Sequence, residues 1–410
     1  MYGSIHSIAV HTELTPEQAD AFAERCRQFL GEHARRGAAG NVNAARAFQG
    51  ELADAGLAGL PYAKEYGGAG LTLEHERIYR AVAQDFPPMA GSLVISHGMC
   101  LPVLNEFGTE EQKRRFMPDN ISGKTLWCQM FSEPGAGSDV ASLQMRAERD
   151  GDEWVLNGQK VWTTLAHESD FGVLIARTDP EQPKHAGISM FVVDLRAPGV
   201  EIRPIHQIDG ARHFNEVFFT DARIPADWLL GEQNNGWRQA TAMLMYERVA
   251  IGSMGSGSIS QPMYDTLLAA AAAAGRLDDA VVRDQLMRIY AMETTKSLVA
   301  LRTRAELKAG KAPGPGGSLG KLATSVIARQ FRNVALEIAG PSSTAWDPER
   351  RDGGALQQQM ISSLSAGIAG GTDEIQRNII GDRVLGLPRD ISVDTKLPFK
   401  ELKVGTQRVG

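Results

Sequence analysis

Glu153-Trp-Val-Leu-Asn-Gly-Gln-Lys-Val-Trp-Thr-Thr164 is where the chain changes texture. The short run Glu153 to Leu156 ends in Asn157-Gly158, the dipeptide that favours the tight turn of a β-hairpin. A turn at 157–158 is therefore expected. Phe171 to Ala176 and Ile188 to Val193 read as buried strands, and Val217-Phe-Phe219 as another. Short strands at this spacing predict an antiparallel sheet or small barrel over residues 125–235.

On both sides the pattern is helical. Thr15-Pro16-Glu17 reads as a helix start, with Thr as cap and Pro at the first helical position. Ala19, Phe22, Ala23, Cys26, Phe29 and Leu30 follow at helical spacing. Gly67, Gly68 and Gly70 interrupt that pattern. Thr109-Glu-Glu-Gln112 has the form of a capping box. From Trp237 to about Leu387 the helical period returns. Leu267 to Ala274 contains only Leu and Ala, which predicts close helix packing. Leu322, Val326, Val334 and Ile338 are expected on one helix face, after a Pro/Gly loop at 309–317. The tail beyond Pro388 is polar and expected to be loosely held. The fold class expected is α+β, mainly α. A helical domain spans 1–124, a β-domain 125–235, a helical bundle 236–390 and a tail 391–410.

Composition narrows the function classes. The 410 residues carry a formal net charge of −6, with 22% charged and 43% hydrophobic residues, the balance of a globular protein. This mild acidity offers no footprint for nucleic acid or an anionic membrane. No apolar run reaches the length of a membrane span. Cys26, Cys100 and Cys128 form no disulfide framework, and the first residues do not read as a signal peptide, so the cytoplasm is expected. The nine histidines show no metal-ligand spacing, so no metal is expected. Gly135-Ala-Gly137 lacks the strand–helix context of a dinucleotide fingerprint, and Ser318-Leu-Gly-Lys321 lacks the partner motifs of a serine acylase.

Three segments in register are more specific. They are Gln129-Met-Phe-Ser-Glu-Pro-Gly-Ala-Gly-Ser-Asp-Val-Ala141, Asn157-Gly-Gln-Lys-Val-Trp-Thr-Thr164 and Gly370-Gly-Thr-Asp-Glu-Ile-Gln-Arg377. Supporting stretches are Lys64 to Gly68, Gly108 to Lys113, Phe214 to Phe218 and Gly231 to Trp237. Together they resemble the acyl-CoA dehydrogenase flavoproteins over nearly the whole chain. The resemblance implies an N-terminal helical domain, a central antiparallel β-domain and a C-terminal four-helix bundle. It also implies FAD as cofactor and loss of hydrogen from Cα and Cβ of an acyl thioester, as in β-oxidation of lipids. Gly135, Gly137 and Ser138 would serve the flavin pyrophosphate, where small residues let backbone donors approach. By resemblance Gln129, Phe131 and Ser132 line the flavin, Trp162 covers its ring, and Thr163 and Thr164 lie near N5. Thr372 and Glu374 fall in the last flavin-contacting loop. Ser138, Leu244, Arg248, Gly370 and Gly371 fall toward the substrate.

The reaction needs a general base. Many members of the family place a Glu directly before the Gly-Thr pair, where this chain has Gly370. Isovaleryl-type and long-chain-type members instead carry the base on an earlier helix, before an Arg. That site here reads Met243-Leu-Met-Tyr-Glu-Arg248, which makes Glu247 the expected base. Mostly apolar neighbours would raise its pKa toward neutrality. Arg248, about 100° further round the helix, should not be its direct partner. A backbone N–H near the base and a flavin hydroxyl would polarise the thioester carbonyl.

Small residues at Ala369-Gly370-Gly371 imply room for a branched or bulky acyl group, such as a sterol side chain or a polyketide-derived chain. The region Ala269 to Leu286 lacks the Arg-x-x-Phe-Gly segment of many relatives, and Gly340-Pro-Ser-Ser343 replaces a Gly-Gly loop. Both changes resemble the heteromeric sterol-degrading members. The partners expected are an acyl-CoA or acyl-carrier-protein thioester, an electron-transfer flavoprotein, and either copies of this chain or a related subunit in a tetramer. A flavin monooxygenase or oxidase on the same scaffold, and a subunit of a heteromeric dehydrogenase, are the competing readings.

Overall fold

The computed structural model describes residues 14–35, 41–89, 91–252, 261–308, 316–345, 355–388, 394 and 396–402. They form two compact units. The first holds the described residues up to Ile205, Arg212–Ala250 and those from Val393 onward; the second holds His206–Ala211 and those of Ile251–Ser392.

The first unit begins with helices α1 (Pro16–His33), α2 (Val42–Asp54), α3 (Leu73–Ala83), α4 (Leu101–Phe107) and α5 (Glu110–Ile121). The two expected starts are real capping boxes. Gln18 N donates to Thr15 Oγ1 at 3.3 Å while Thr15 N donates back to the Gln18 side chain at 3.0 Å. Thr109 and Gln112 repeat this at 3.2 and 2.9 Å. Each box satisfies two helix-end donors that would otherwise lack partners. The expected apolar face of α1 is also found, with Phe22, Cys26, Phe29 and Leu30 buried. A π-helical turn, Ser96–Cys100, leads into α4.

The strands are β1 (Trp127–Met130), β2 (Arg146–Asp150), β3 (Glu153–Thr164), β4 (Phe171–Arg177), β5 (Ile188–Asp194), β6 (Val200–Pro204), β7 (Phe214–Pro225) and β8 (Leu229–Leu230). The sheet order is β6-β7-β3-β2-β4-β5-β8. β1 and β2 run parallel to β4, and the other pairings are antiparallel. The helices and this sheet share one core, in which Phe116 packs edge-on against Trp127 at 5.5 Å and Phe171 at 5.6 Å.

The hairpin expected at Asn157-Gly158 is displaced. β2 and β3 do form a hairpin, but the chain reverses at Gly151-Asp152, with Gly151 at φ 58°. Asn157-Gly158 instead lies inside β3, where the register with β7 slips between Leu156 and Gly158. Gly158 has φ 145°, and a Cβ there would stand 2.8 Å from Met145 Cγ and 2.9 Å from Met145 Cα. Asn157 exchanges two hydrogen bonds with Asp221 of β7, at 3.0 and 2.9 Å. Positive φ and close backbone approach serve a bulge as well as a turn, so the dipeptide does not distinguish them.

Helix α6 (Gly236–Gly252) follows the sheet. The second unit holds α7 (Pro262–Ala273), α8 (Ala280–Lys308), α9 (Gly316–Ala339), α10 (Ala355–Ser362) and α11 (Asp373–Arg383). Its core joins Leu267 and Ala271 to Val282, Leu286 and Ile289 and to α9. The buried stripe of α9 is Ile327, Phe331, Val334 and Ile338, whereas the expected Val326 is 38% exposed. Leu322 is half-buried, so of the four expected positions Val326 is the one that departs. Residues 309–315 of the expected Pro/Gly loop lie outside the described residues, and Gly316 and Gly317 already belong to α9.

The tail is not loosely held where it is described. Phe399 and Leu402 are buried, and Phe399 N and Lys400 N donate to Gln182 O and Pro180 O at 2.9 and 3.1 Å. This packing depends on partners some two hundred positions away, which local polarity cannot reveal.

Candidate active site

Two segments of the first unit hold most of the expected flavin residues, and a buried ion pair ties them together. Lys160, on β3, is 0% exposed. Its Nζ donates to Glu133 Oε1 at 2.9 Å and to Phe131 O at 3.0 Å. Glu133 also accepts from Gln144 N and Met145 N at 2.7 and 3.0 Å. Val161 N adds a bond to Ser132 O at 2.9 Å. Burial pushes the Lys160 pKa down, and the Glu133 carboxylate opposes that shift. Glu133 and Lys160 stand in the quoted motifs, but the sequence reading assigned neither a role.

The ion pair sets Gln129 to Ser132 beside the end of β3. Gln129 is half-buried on β1, and Ser132 is partly open. The Phe131 side chain joins the core. Past Glu133, a tight pair of backbone bonds between Glu133 and Ala136 leaves Gly137 and Ser138 exposed. A Cβ at Gly137 would meet nothing within 4 Å, which leaves room for a ligand to approach the backbone.

Trp162 decides the fit of a flavin. It sits at φ 61°, an uncommon conformation for a bulky residue, and its indole is 59% exposed. Phe214 braces it edge-on at 6.0 Å. A braced aromatic face held open to solvent suits a flat ring system and not core packing. Thr164 is half-buried. Thr163 is buried, and its Oγ1 has no hydrogen-bond partner among the described residues. Asn215, fully buried, anchors this strand end by donating to Thr163 O at 2.9 Å.

Helix α6 presents Glu247 on a defined face. Ala240 and Met243 are fully buried, and Leu244 packs on the core. Glu247 lies seven, four and three residues beyond them, on the same helical stripe. It is half-buried, while Met245 faces solvent. Tyr246 Oη donates to Glu106 Oε2 at 2.6 Å and fixes the rotation of the helix against α4. The Arg248 side chain lies outside the described residues.

The second unit gathers its own part of the expected site. Gly370 and Gly371 have φ 68° and 87°. Gln376 Nε2 donates to both of their carbonyls, at 3.2 and 3.3 Å. A Cβ at Gly371 would lie 2.6 Å from that nitrogen. Thr372 caps α11 by accepting from Ile375 N at 3.3 Å. Glu374 is exposed and pairs with Arg377 at 3.6 Å. Asp373, which the sequence reading left without a role, is 4% exposed and accepts from Arg329 Nη1 at 2.6 Å and Ser325 Oγ at 2.9 Å.

Burial works to raise the Asp373 pKa. The Arg329 and Ser325 hydrogen bonds, with the charges of Arg329 and Lys321, overcome it and hold the carboxyl below the usual aspartate range. A depressed folded-state pKa contributes stability that is present above the unfolded value and is lost as pH falls through the folded one. Asp373→Asn should therefore lower the melting temperature at neutral pH. It should also lose less further stability than wild type between about pH 5 and 3. Thermal scans across that range check both.

Over residues 16–124, 128–222 and 234–385 the chain matches, in order, the N-terminal, middle and C-terminal domains of the acyl-CoA dehydrogenases. The chain belongs to the acyl-CoA dehydrogenase family. Acyl-CoA dehydrogenase IpdE1 of Mycobacterium tuberculosis is 41% identical over 351 residues, covering 84% of this chain and 88% of that one. Among solved structures, the Tcur3481-Tcur3483 steroid ACAD aligns with a TM-score of 0.75 at 28% identity, over 93% of this chain and 100% of that one. The ChsE4-ChsE5 complex from Mycobacterium tuberculosis aligns at 0.73 and 29%, with the same coverage of each. The dehydrogenase is thus an FAD-dependent oxidoreductase acting on acyl-CoA. No helix among its described residues is long and apolar enough to cross a membrane, and no group of three or more His, Cys, Asp or Glu side chains among them could hold a metal ion.

Proposed function

We propose that Glu247 removes the α-proton of a bulky acyl-CoA, and that the dehydrogenase works with a related subunit. The observation that carries the base assignment is the place of Glu247 on the inward stripe of α6, where the pattern otherwise holds Ala240, Met243 and Leu244. The alternative position supports it by default. Gly370 has no side chain, so that position supplies no carboxylate in this chain.

FAD, when bound, supplies the acceptor for the β-hydride. Trp162 would stack on its ring, the backbone of Phe131 and Ser132 and the Thr164 side chain would meet its edge, and Gly137 and Ser138 would receive its phosphates. The protein's own part in the chemistry is to orient the Cα–H bond toward Glu247, take the proton on that carboxylate and exclude water from it.

Two observations support a bulky acyl group. Ala369, Gly370 and Gly371 present almost no side-chain volume, and a solved relative is named a steroid ACAD. The two solved relatives are each named as pairs of different chains, which supports a heteromeric assembly. Electron-transfer flavoprotein is the proposed acceptor. Bleaching of the flavin should be followed with a panel of thioesters, for the chain alone and with a related subunit. A steroid-derived or branched acyl-CoA should show kcat/KM at least about 100-fold above straight chains. A preference for short straight chains would overturn the substrate reading, and full FAD occupancy and activity of the chain alone would overturn the heteromeric one.

A further inference from the structure

A buried cluster behind the Gly135–Ser138 loop connects it to the C-terminal segment, which lies beyond the residues matched to the family's C-terminal domain. Arg177, on β4, is buried. It donates to Ala141 O at 2.7 Å, Leu143 O at 3.3 Å and Lys184 O at 2.7 Å. One face of its guanidinium lies 3.7 Å from the ring centre of Phe399. Lys184, also buried, donates to Asp139 at 3.0 and 3.2 Å and to Asp394 at 2.6 Å. Asp139 accepts in turn from Ser142 Oγ at 2.5 Å.

The loop is therefore fixed at both ends. Glu133 and Lys160 hold its start, and Arg177 and Lys184 hold residues 139–143. Both cations reach the loop from one side and the C-terminal segment from the other. Phe399 covers the guanidinium face that would otherwise meet water, and Asp394 takes one of the three Lys184 donors. The outer contact between Lys400 and Glu181, at 2.7 Å, is exposed and touches neither cation.

We propose that Asp394 and residues 396–402 form a strap that positions the flavin-phosphate loop through Arg177 and Lys184, with Phe399 as its anchor. This rests on the assignment of Gly137 and Ser138 to the flavin phosphates. The strap shapes the loop and touches no reacting atom, so its signature is cofactor affinity.

The test is titration of FAD into apo-protein, together with whatever subunit the wild type needs to bind it, followed by flavin fluorescence well below the melting temperature. Phe399→Ala should weaken FAD binding by about tenfold, Phe399→Trp should restore it to within about twofold, and Lys400→Ala should leave it unchanged. A strap that only stabilised the fold would lower the apo-protein's melting temperature without this pattern of affinities. If Phe399→Ala does not fold, Asp394→Asn decides, with a loss of affinity of about threefold expected. Unchanged affinity in the folded variant overturns the strap while leaving the flavin assignment standing. A wild type that binds no FAD overturns both.

Discussion

Glu247→Gln is expected to lower turnover about a thousandfold while FAD stays bound. The amide keeps the size and planarity of the carboxylate, so the packing of α6 should be preserved. It cannot take the proton, which removes the one function assigned to the residue. The α-proton of a thioester is too weakly acidic to be lost to water at a useful rate, so no background route should hide the defect. Steady-state turnover and the visible flavin spectrum, measured on the same preparation, separate loss of chemistry from loss of cofactor. Glu247→Asp should fall between wild type and Gln, because its carboxylate is drawn back by one methylene.

Lys160→Met carries the second large effect, this time on stability. The substitution fills the space with apolar atoms but leaves the Glu133 carboxylate with only two backbone donors, and it strips Phe131 O of its Nζ partner. Removing one member of a buried ion pair costs up to about 3–5 kcal/mol, because a charge stays behind with less compensation, here the two backbone donors and the Arg177 charge. Denaturant unfolding of the variant should show a loss of that order. The double variant Glu133→Gln/Lys160→Met should recover part of it, since the stranded charge is then gone. Equal stability of single variant and wild type would mean that the pair does not hold the two flavin segments together.

The parts of the fold that could be read ahead were those whose causes are local. Thr15 with Gln18 and Thr109 with Gln112 are complete within four residues, and both boxes are present. The apolar runs of β4 and β5 are long enough to need burial on both faces, and both strands are buried almost throughout. Asn157-Gly158 misled because it answers to positive φ, which a bulge also requires. Val326 misled because Ile327, one position on, is equally apolar, and the sequence alone does not say which of the two turns inward. Phe399 could not be read at all, since its partner Arg177 is distant in sequence and belongs to another element. At the candidate site, Trp162 and Glu247 came from the resemblance, through their register with Gly158 and Lys160 and with Arg248, because a lone Trp or helix Glu looks locally like core packing or a solvated face. Lys160 and Asp373 were not legible, since nothing in a sequence marks a charged residue as buried.

The most direct measurement isolates the proton step. A thioester analogue with sulfur at the β position can lose its α-proton but has no β-hydrogen to give. Incubated with the FAD-loaded enzyme in D2O, together with any subunit needed to hold the flavin, it should exchange its α-hydrogens for deuterium, read by NMR or mass spectrometry. The account predicts rapid exchange with wild type and none above background with Glu247→Gln, although the analogue still binds. Exchange at the wild-type rate in that variant would show that another group takes the proton, and would contradict the assignment of Glu247.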